Sequence, residues 1–150
     1  MTRINSAIPV RCLTDEHLLA EHREIKRLPY CLDKAIKSGS IRKIPHKFKL
    51  GSGHVLFFLD KQCFVHSRYL EIHNELIKRG FNTTDFSDNW NVLMSGYYWN
   101  DYEPTDEEYQ LLIERITERI NNSTKKSWHY YGEQINSSKA IELLSKNHQT

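Results

Sequence analysis

Apolar residues along this chain recur at helical spacing in three long stretches and cluster in one short run. From Asp15 to about Leu28, residues Leu18, Ile25 and Leu28 share one side of a wheel turning about 100° per residue, while Ala20, Arg23, Glu24 and Arg27 share another. Thr14 or Asp15 suits the N-cap, acidic Asp15 and Glu16 suit the first turn, and Leu13 is placed as a staple. Pro29 predicts a kink or a break, after which Tyr30 to Lys37 continues in helical pattern until Ser38-Gly39-Ser40. A second helix is expected over Phe64 to Arg79, where Phe64, Val65, Tyr69, Leu70, Ile72, Leu76 and Ile77 alternate with polar residues and Gly80 closes the pattern. A third opens on a capping box, Thr105 with Glu108, carries Tyr109, Leu112, Ile113, Ile116 and Ile120 as one stripe, and ends near Asn121-Asn122-Ser123.

Between these elements, Val55 to Leu59 is the most apolar run and reads as core. Ile41 to Lys49 is a basic loop in which Pro45 forbids a helix interior; its cations suit either a phosphate backbone or plain solvation. The irregular stretch from Asn82 to Glu103 holds Trp90, Tyr97, Tyr98, Trp99 and Tyr102, which serve either to pin a long loop to the body, the favoured reading, or to stack on bases. The expectation is an all-α fold, a single compact domain of three main helices with long loops, spanning residues 1–132. Residues 133–150 read as a polar, weakly docked C-terminal tail with a short Ala140-Ile141-Leu143-Leu144 pattern.

Composition narrows the class. With 150 residues, 39% hydrophobic and 11% aromatic, the chain can bury a core of its own. No apolar run approaches the roughly 20 residues a bilayer span needs, and no signal-peptide pattern opens the chain. No membrane partner is therefore expected; the default location is cytoplasmic, or the host cytoplasm or nucleoid for a viral protein, and a monomer is expected. Cys12, Cys31 and Cys63 are odd in number and lack C-x-x-C spacing, which argues for reduced thiols rather than disulfides or a zinc knuckle. His17 and Glu21 stand at i,i+4, but no H-E-x-x-H or other ligand cluster accompanies them, so neither a metal nor a cofactor is expected. Net charge is only +2, yet nine Lys and Arg residues crowd positions 23–49, while Asp101 to Glu108 is acidic, so the field is lopsided.

Three stretches carry candidate chemistry. Glu21-His22-Arg23-Glu24-Ile25-Lys26-Arg27 sets a carboxylate between two guanidinium forks with the small Ala20 beside it, either a surface ion-pair ladder or a site that grips phosphate around an acid. Thr2 is small enough that Met1 is normally excised, leaving an α-amine whose ordinary pKa of about 7.7 to 8.0 makes it a nucleophile near neutral pH; the alternative is an ordinary frayed terminus. Lys125-Lys126-Ser127-Trp128-His129-Tyr130-Tyr131-Gly132 mixes aromatics with lysines, and is either a nucleic-acid contact or an aromatic plug on the core. Glycines 51 and 53 precede an apolar run, but neither phosphate-loop pattern is present.

Taken together, five blocks in order resemble the pyrimidine-dimer DNA glycosylases with AP-lyase activity, of the phage endonuclease V type. They are Met1-Thr2-Arg3-Ile4-Asn5, then Leu13 to Ile25 with Arg27, Gly53 to Lys61, Lys78 to Asn82, and Trp128 to Gly132. The resemblance implies a mostly helical fold, double-stranded damaged DNA as partner, and no metal. It implies that Thr2 supplies its α-amine as nucleophile and that Glu24 is the essential carboxylate. Arg3, Arg23 and Arg27 match family positions that hold the damaged strand, and His17 matches a histidine lining the same site. Lys125, Lys126, Trp128, Tyr130 and Tyr131 are possible DNA contacts. The implied activity excises the base at cyclobutane pyrimidine dimers through a Schiff base and nicks the strand by β-elimination. The alternatives are a glycosylase/lyase for another damaged base, or a non-catalytic DNA-binding domain. The chain departs from the family where Glu16 replaces Gln, His22 replaces Tyr and Lys26 replaces a frequent Pro; it also has one extra residue between Asn5 and Leu13 and lacks a lysine between its last two tyrosines. Glu21, near the apolar stripe with Leu18 and Leu28, is expected to orient other groups rather than to serve as a second acid.

Overall fold

A computed structural model describes residues 4–146, and of Lys146 only the backbone. The chain is mostly helical: α1 (Asp15–Ile25), α2 (Leu28–Ser38), α3 (His54–Phe58), α4 (Gln62–Lys78), α5 (Asp106–Asn122), a hairpin of β1 (Ser127–Tyr130) and β2 (Glu133–Asn136), and α6 (Ser137–Lys146). Short 3₁₀ turns occupy Val10–Cys12, Ser40–Lys43 and Ser87–Leu93. Among the described residues no helix is long and apolar enough to cross a membrane.

Each long helix forms where the apolar pattern places it. Thr14 caps α1 by accepting the His17 N–H, and Thr105 caps α5 by accepting the Glu108 N–H. The α5 stripe is buried at Tyr109, Leu112, Ile116 and Ile120, and α4 buries Val65, Tyr69, Ile72 and Leu76 against α1. Pro29 breaks the first helix earlier than Leu28. A proline cannot donate to the carbonyl four residues back and clashes with it, and that residue is Ile25, where α1 ends. Pro29 then sits in the first turn of α2, where its missing N–H is no loss. Gly80, at φ +92°, lets Phe81 N–H return to Leu76 O and close α4.

The irregular stretch after α4 is fastened by its aromatics. Trp90 is fully buried and donates through Nε1 to Gln62 Oε1 at 2.9 Å, and the Tyr69 hydroxyl accepts the Phe86 N–H at 2.6 Å. Tyr97, by contrast, is exposed.

The purely all-α expectation needs correction, because β1 and β2 pair antiparallel with Trp128 opposite Ile135 and Tyr130 opposite Glu133. Such short strands leave too little alternation to read, and a lone hairpin is marginal in water. Here α1 holds it: the Asp15 carboxylate accepts the Tyr131 and Gly132 N–H groups, and Glu16 accepts the His129 N–H. Tyr131 (φ +53°) and Gly132 (φ +80°) form the left-handed turn that such a hairpin requires. Residues 133–146, read from sequence as part of a polar tail, form β2 and α6, and α6 buries Ala140, Leu143 and Leu144.

Candidate active site

The exposed side of α1 faces a cavity of about 320 Å³ that lies between α1, α5, β1 and the N-terminal segment. His17, Arg23 and Glu24 reach it from α1, Arg119 from α5, Trp128 from β1, and Asn5 from the chain start. A second cavity of about 290 Å³ adjoins it and is lined by Glu24, Arg27, Cys31 and the loop at Gly51 and Gly53. Glu24 is the side chain common to both. Its Oε2 lies 3.3 Å from Arg27 Nη1 across one helical turn, and its side chain is 26% exposed, poised at the surface rather than sealed beneath it.

Glu21, one turn earlier, is sealed. It is 1% exposed and takes two hydrogen bonds from Arg68, Nε at 2.9 Å and Nη2 at 3.0 Å, in a fork-to-fork pair. A third comes from Asn5 Nδ2 at 3.1 Å, while Arg68 Nη1 donates to Ile8 O at 2.7 Å. Glu21 therefore orients the chain start, and Asn5 is tied to the floor of the cavity it lines.

Ile4 and Ser6, on either side of Asn5, are also held. Ile4 is fully buried and its N–H donates to His54 Nε2 at 3.1 Å; His54 Nδ1–H donates to Lys49 O at 2.9 Å. Burial pulls the His54 imidazole below its ordinary pKa, which suits a neutral ring that accepts on one nitrogen and donates on the other. The Ser6 hydroxyl donates to Glu108.

His17 stacks on Trp128 with ring centroids 5.2 Å apart and planes at 15°, and its Nδ1 lies 2.7 Å from Thr14 Oγ1. Burial, with a further push from Arg119 and Lys125, lowers its pKa to about 4 against the opposing pull of Glu16, so the ring is neutral at pH 7. Trp128 is 7% exposed and forms cavity wall rather than an open stacking platform. Arg23 and Arg27 are exposed at the rim.

The aromatic and basic cluster divides. Lys125 lies 3.3 Å from Glu16 and sits over the Trp128 ring, Lys126 is exposed, and neither tyrosine lines the cavity. Tyr130 and Tyr131 each lie 4.8 Å from the Arg79 guanidinium, the Tyr130 hydroxyl donates to Arg11 O, and the Tyr131 hydroxyl donates to Glu75. Thr2 and Arg3 lie outside the described residues.

Arg119, Asn5 and the anchors His54, Ser6 and Glu108 escape a reading of the sequence. Glu108 was legible only as the capping-box partner of Thr105, and Arg119 stands three residues after Ile116 on the same helix face, where both line the cavity. Among the described residues, no three His, Cys, Asp or Glu side chains gather as a metal site.

A cavity with a carboxylate at its mouth, arginines on its rim and a tethered chain start suits an anionic, extended substrate. A family model described as pyrimidine dimer DNA glycosylase matches residues 1–89, more than half of the chain, taking in the N-terminal segment and α1 to α4. The chain belongs to the pyrimidine dimer DNA glycosylase family.

Proposed function

We propose that this glycosylase excises the base at cyclobutane pyrimidine dimers through an N-terminal Schiff base and then nicks the strand. The observation that carries the reading is the convergence of Glu24, Arg23, His17 and the anchored Asn5 on one cavity. A chain spans at most about 3.6 Å per residue, so an amine on Thr2 is confined to within about 11 Å of the Asn5 tether.

The chemistry follows from those groups. With Met1 removed, the Thr2 amine attacks C1′ of the damaged nucleotide; the new C–N bond forms as the glycosylic bond breaks and the base leaves with the bonding pair. Opening of the sugar ring at O4′ gives an imine between C1′ and the enzyme. The imine acidifies the C2′ proton, and loss of that proton expels the 3′ phosphate by β-elimination. The Glu24 carboxylate stabilises the cationic sugar and imine and accepts or relays the C2′ proton. Arg23 and Arg27, with Arg3, hold flanking phosphates, and bending at the lesion opens the stack where it is weakest. Neutral His17 supplies a flat, uncharged wall on Trp128. Lys125 and Lys126 extend the basic surface beside the hairpin.

Borohydride trapping with a dimer-containing duplex in EDTA tests this reading. A covalent protein–DNA adduct is expected, and blocking the N-terminus should abolish it. Glu24→Gln should bind DNA as well as the wild type but lose strand cleavage. An adduct with an abasic duplex but none with a dimer would move the assignment to another lesion; no adduct with any damaged duplex would remove the amine from the mechanism.

A further inference from the structure

Four helices each grip the N-terminal segment at a different residue. His54 of α3 holds Ile4, Glu21 of α1 holds Asn5, Glu108 of α5 holds Ser6, and Arg68 of α4 holds the Ile8 carbonyl. Three of these grips lie within residues 1–89, the span of the family match, whereas Glu108 lies beyond it. Membership of the family therefore says nothing of what Glu108 does.

Glu108 is unusual for its position. It is the third residue of α5, and the capping-box partner of Thr105; its neighbours Asp106 and Glu107 are exposed, as acidic residues of a first turn ordinarily are. Glu108 is 1% exposed and points inward. One carboxylate oxygen takes the Ser6 hydroxyl and the other takes the Tyr102 hydroxyl. Burial pushes its pKa up, and the hydrogen bonds from Ser6, Tyr102 and the Thr105 backbone oppose that push without overcoming it. Glu21, the other buried acid gripping this segment, is matched by the Arg68 fork. Glu108 has no such fork among the described residues; Lys61, the cation that acts on it from a distance, is itself bonded to Asp60 and to Phe57 O. A capping box alone gains nothing from burying its acid, because a buried carboxylate must replace every lost water contact with a donor. What this burial adds is a directional link from a rigid 17-residue helix to a residue four positions from the proposed nucleophile.

We propose that Glu108 is a positioning residue, acting through the Ser6 hydroxyl to fix the chain from which the attacking amine extends. The link rests on the amine reading given above, since it matters to rate only if the reacting group is on that chain. Asn5 and Ser6 are held by their side chains, Ile4 and Ile8 by their backbone. Losing the Ser6 link leaves Ile4, Asn5 and Ile8 anchored, so the segment stays docked while its exit direction loosens. A misplacement of about 1 Å at a reacting group can lower the rate by about 100-fold.

Single-turnover borohydride trapping of the full chain, at saturating dimer-containing duplex, reads the effect directly. It is run on the wild type, Ser6→Ala, Glu108→Leu, the double variant and Tyr102→Phe, with duplex affinity by anisotropy and thermal midpoints measured alongside. Ser6→Ala and Glu108→Leu, which leaves no acceptor, should each slow adduct formation by about 10- to 100-fold, with duplex affinity within about twofold of wild type. The double variant should be no slower than the slower single variant, because both remove the same link. Tyr102→Phe removes the other hydroxyl from the same carboxylate without touching the N-terminal segment, so it should lower the thermal midpoint and spare the rate. Unchanged trapping in Ser6→Ala, additive losses in the double variant, or equal slowing by Tyr102→Phe would each overturn the proposal. Ser6→Ala alone decides it should Glu108→Leu fail to fold. A wild type that forms no adduct removes the amine reading and this proposal with it; a trapping wild type with unaffected variants removes only this proposal.

Discussion

Glu21 and Glu24 stand three residues apart on one helix and have opposite surroundings. Glu21 is locked by a guanidinium fork and by Asn5, whereas Glu24 opens onto two cavities and meets Arg27. Glu21→Gln should leave the Arg68 guanidinium buried without its counter-charge, and breaking such a pair costs about 3–5 kcal/mol; urea denaturation measures it. Glu24→Gln, changing a partly exposed group, should shift stability by no more than about 0.5 kcal/mol, so loss of cleavage with intact folding would separate chemistry from structure. His17 adds a pH signature. Its pKa falls from 6.5 in the ordinary environment to about 4 in the folded chain. The unfolded chain therefore binds the extra proton first, and folding loses stability as pH falls from about 6.5 toward 4. Comparing wild type with His17→Gln by urea denaturation at pH 7, 6, 5 and 4.5 should show a shallower acid loss in the variant.

At the scale of elements, α1 carries the hairpin on its first turn. Asp15 accepts two N–H groups from the exposed Tyr131-Gly132 turn and meets Arg79 at 2.9 Å, both side chains of that ion pair being buried; Arg79 in turn holds Glu75 and lies against both tyrosines. Glu16 takes the His129 N–H, the His129 ring and Lys125 in a more exposed setting. Partial burial pushes the Glu16 carboxyl up, but the His129 and Lys125 contacts leave it net below its ordinary pKa. Asp15→Ala should therefore cost about 3 kcal/mol or more and speed hydrogen exchange across β1 and β2. Glu16→Gln keeps an acceptor for His129 N–H and gives up an exposed ion pair, so its cost should stay within about 1 kcal/mol. Because Trp128 walls the cavity from this hairpin, Asp15→Ala should also slow adduct trapping, while Glu16→Gln should leave it close to wild type.

At the scale of the whole molecule, the basic residues between 23 and 49 surround the α1 rim and the exposed loop after α2, while the acidic run from 101 to 108 turns one of its carboxylates into the interior. DNA affinity should fall linearly in logarithm with log salt, with a slope of about 0.9 per phosphate neutralised; titration by anisotropy between low and physiological salt checks this, and a flat response would speak against phosphate contacts. The amphipathic spacing of α1, α4 and α5, the Thr14 and Thr105 caps and the break at Pro29 were legible in the chain because they depend on residues within one or two turns of each other. The row of Arg23, Glu24 and Arg27 was legible for the same reason, as one face of one helix, whereas His17 entered only through the family resemblance. The hairpin was not, because its strands are too short to declare a period and are held by carboxylates more than a hundred residues away. Nor were Arg119, His54 and Glu108 as parts of the site, since a lone arginine, histidine or glutamate has no pattern until folding sets it beside a partner. The sequence by itself determined the long amphipathic helices and the row of Arg23, Glu24 and Arg27 on one of them, whereas only the tertiary structure decided which buried groups hold Ile4, Asn5 and Ser6, because those bonds join residues distant in the chain and depend on directions that no local spacing encodes.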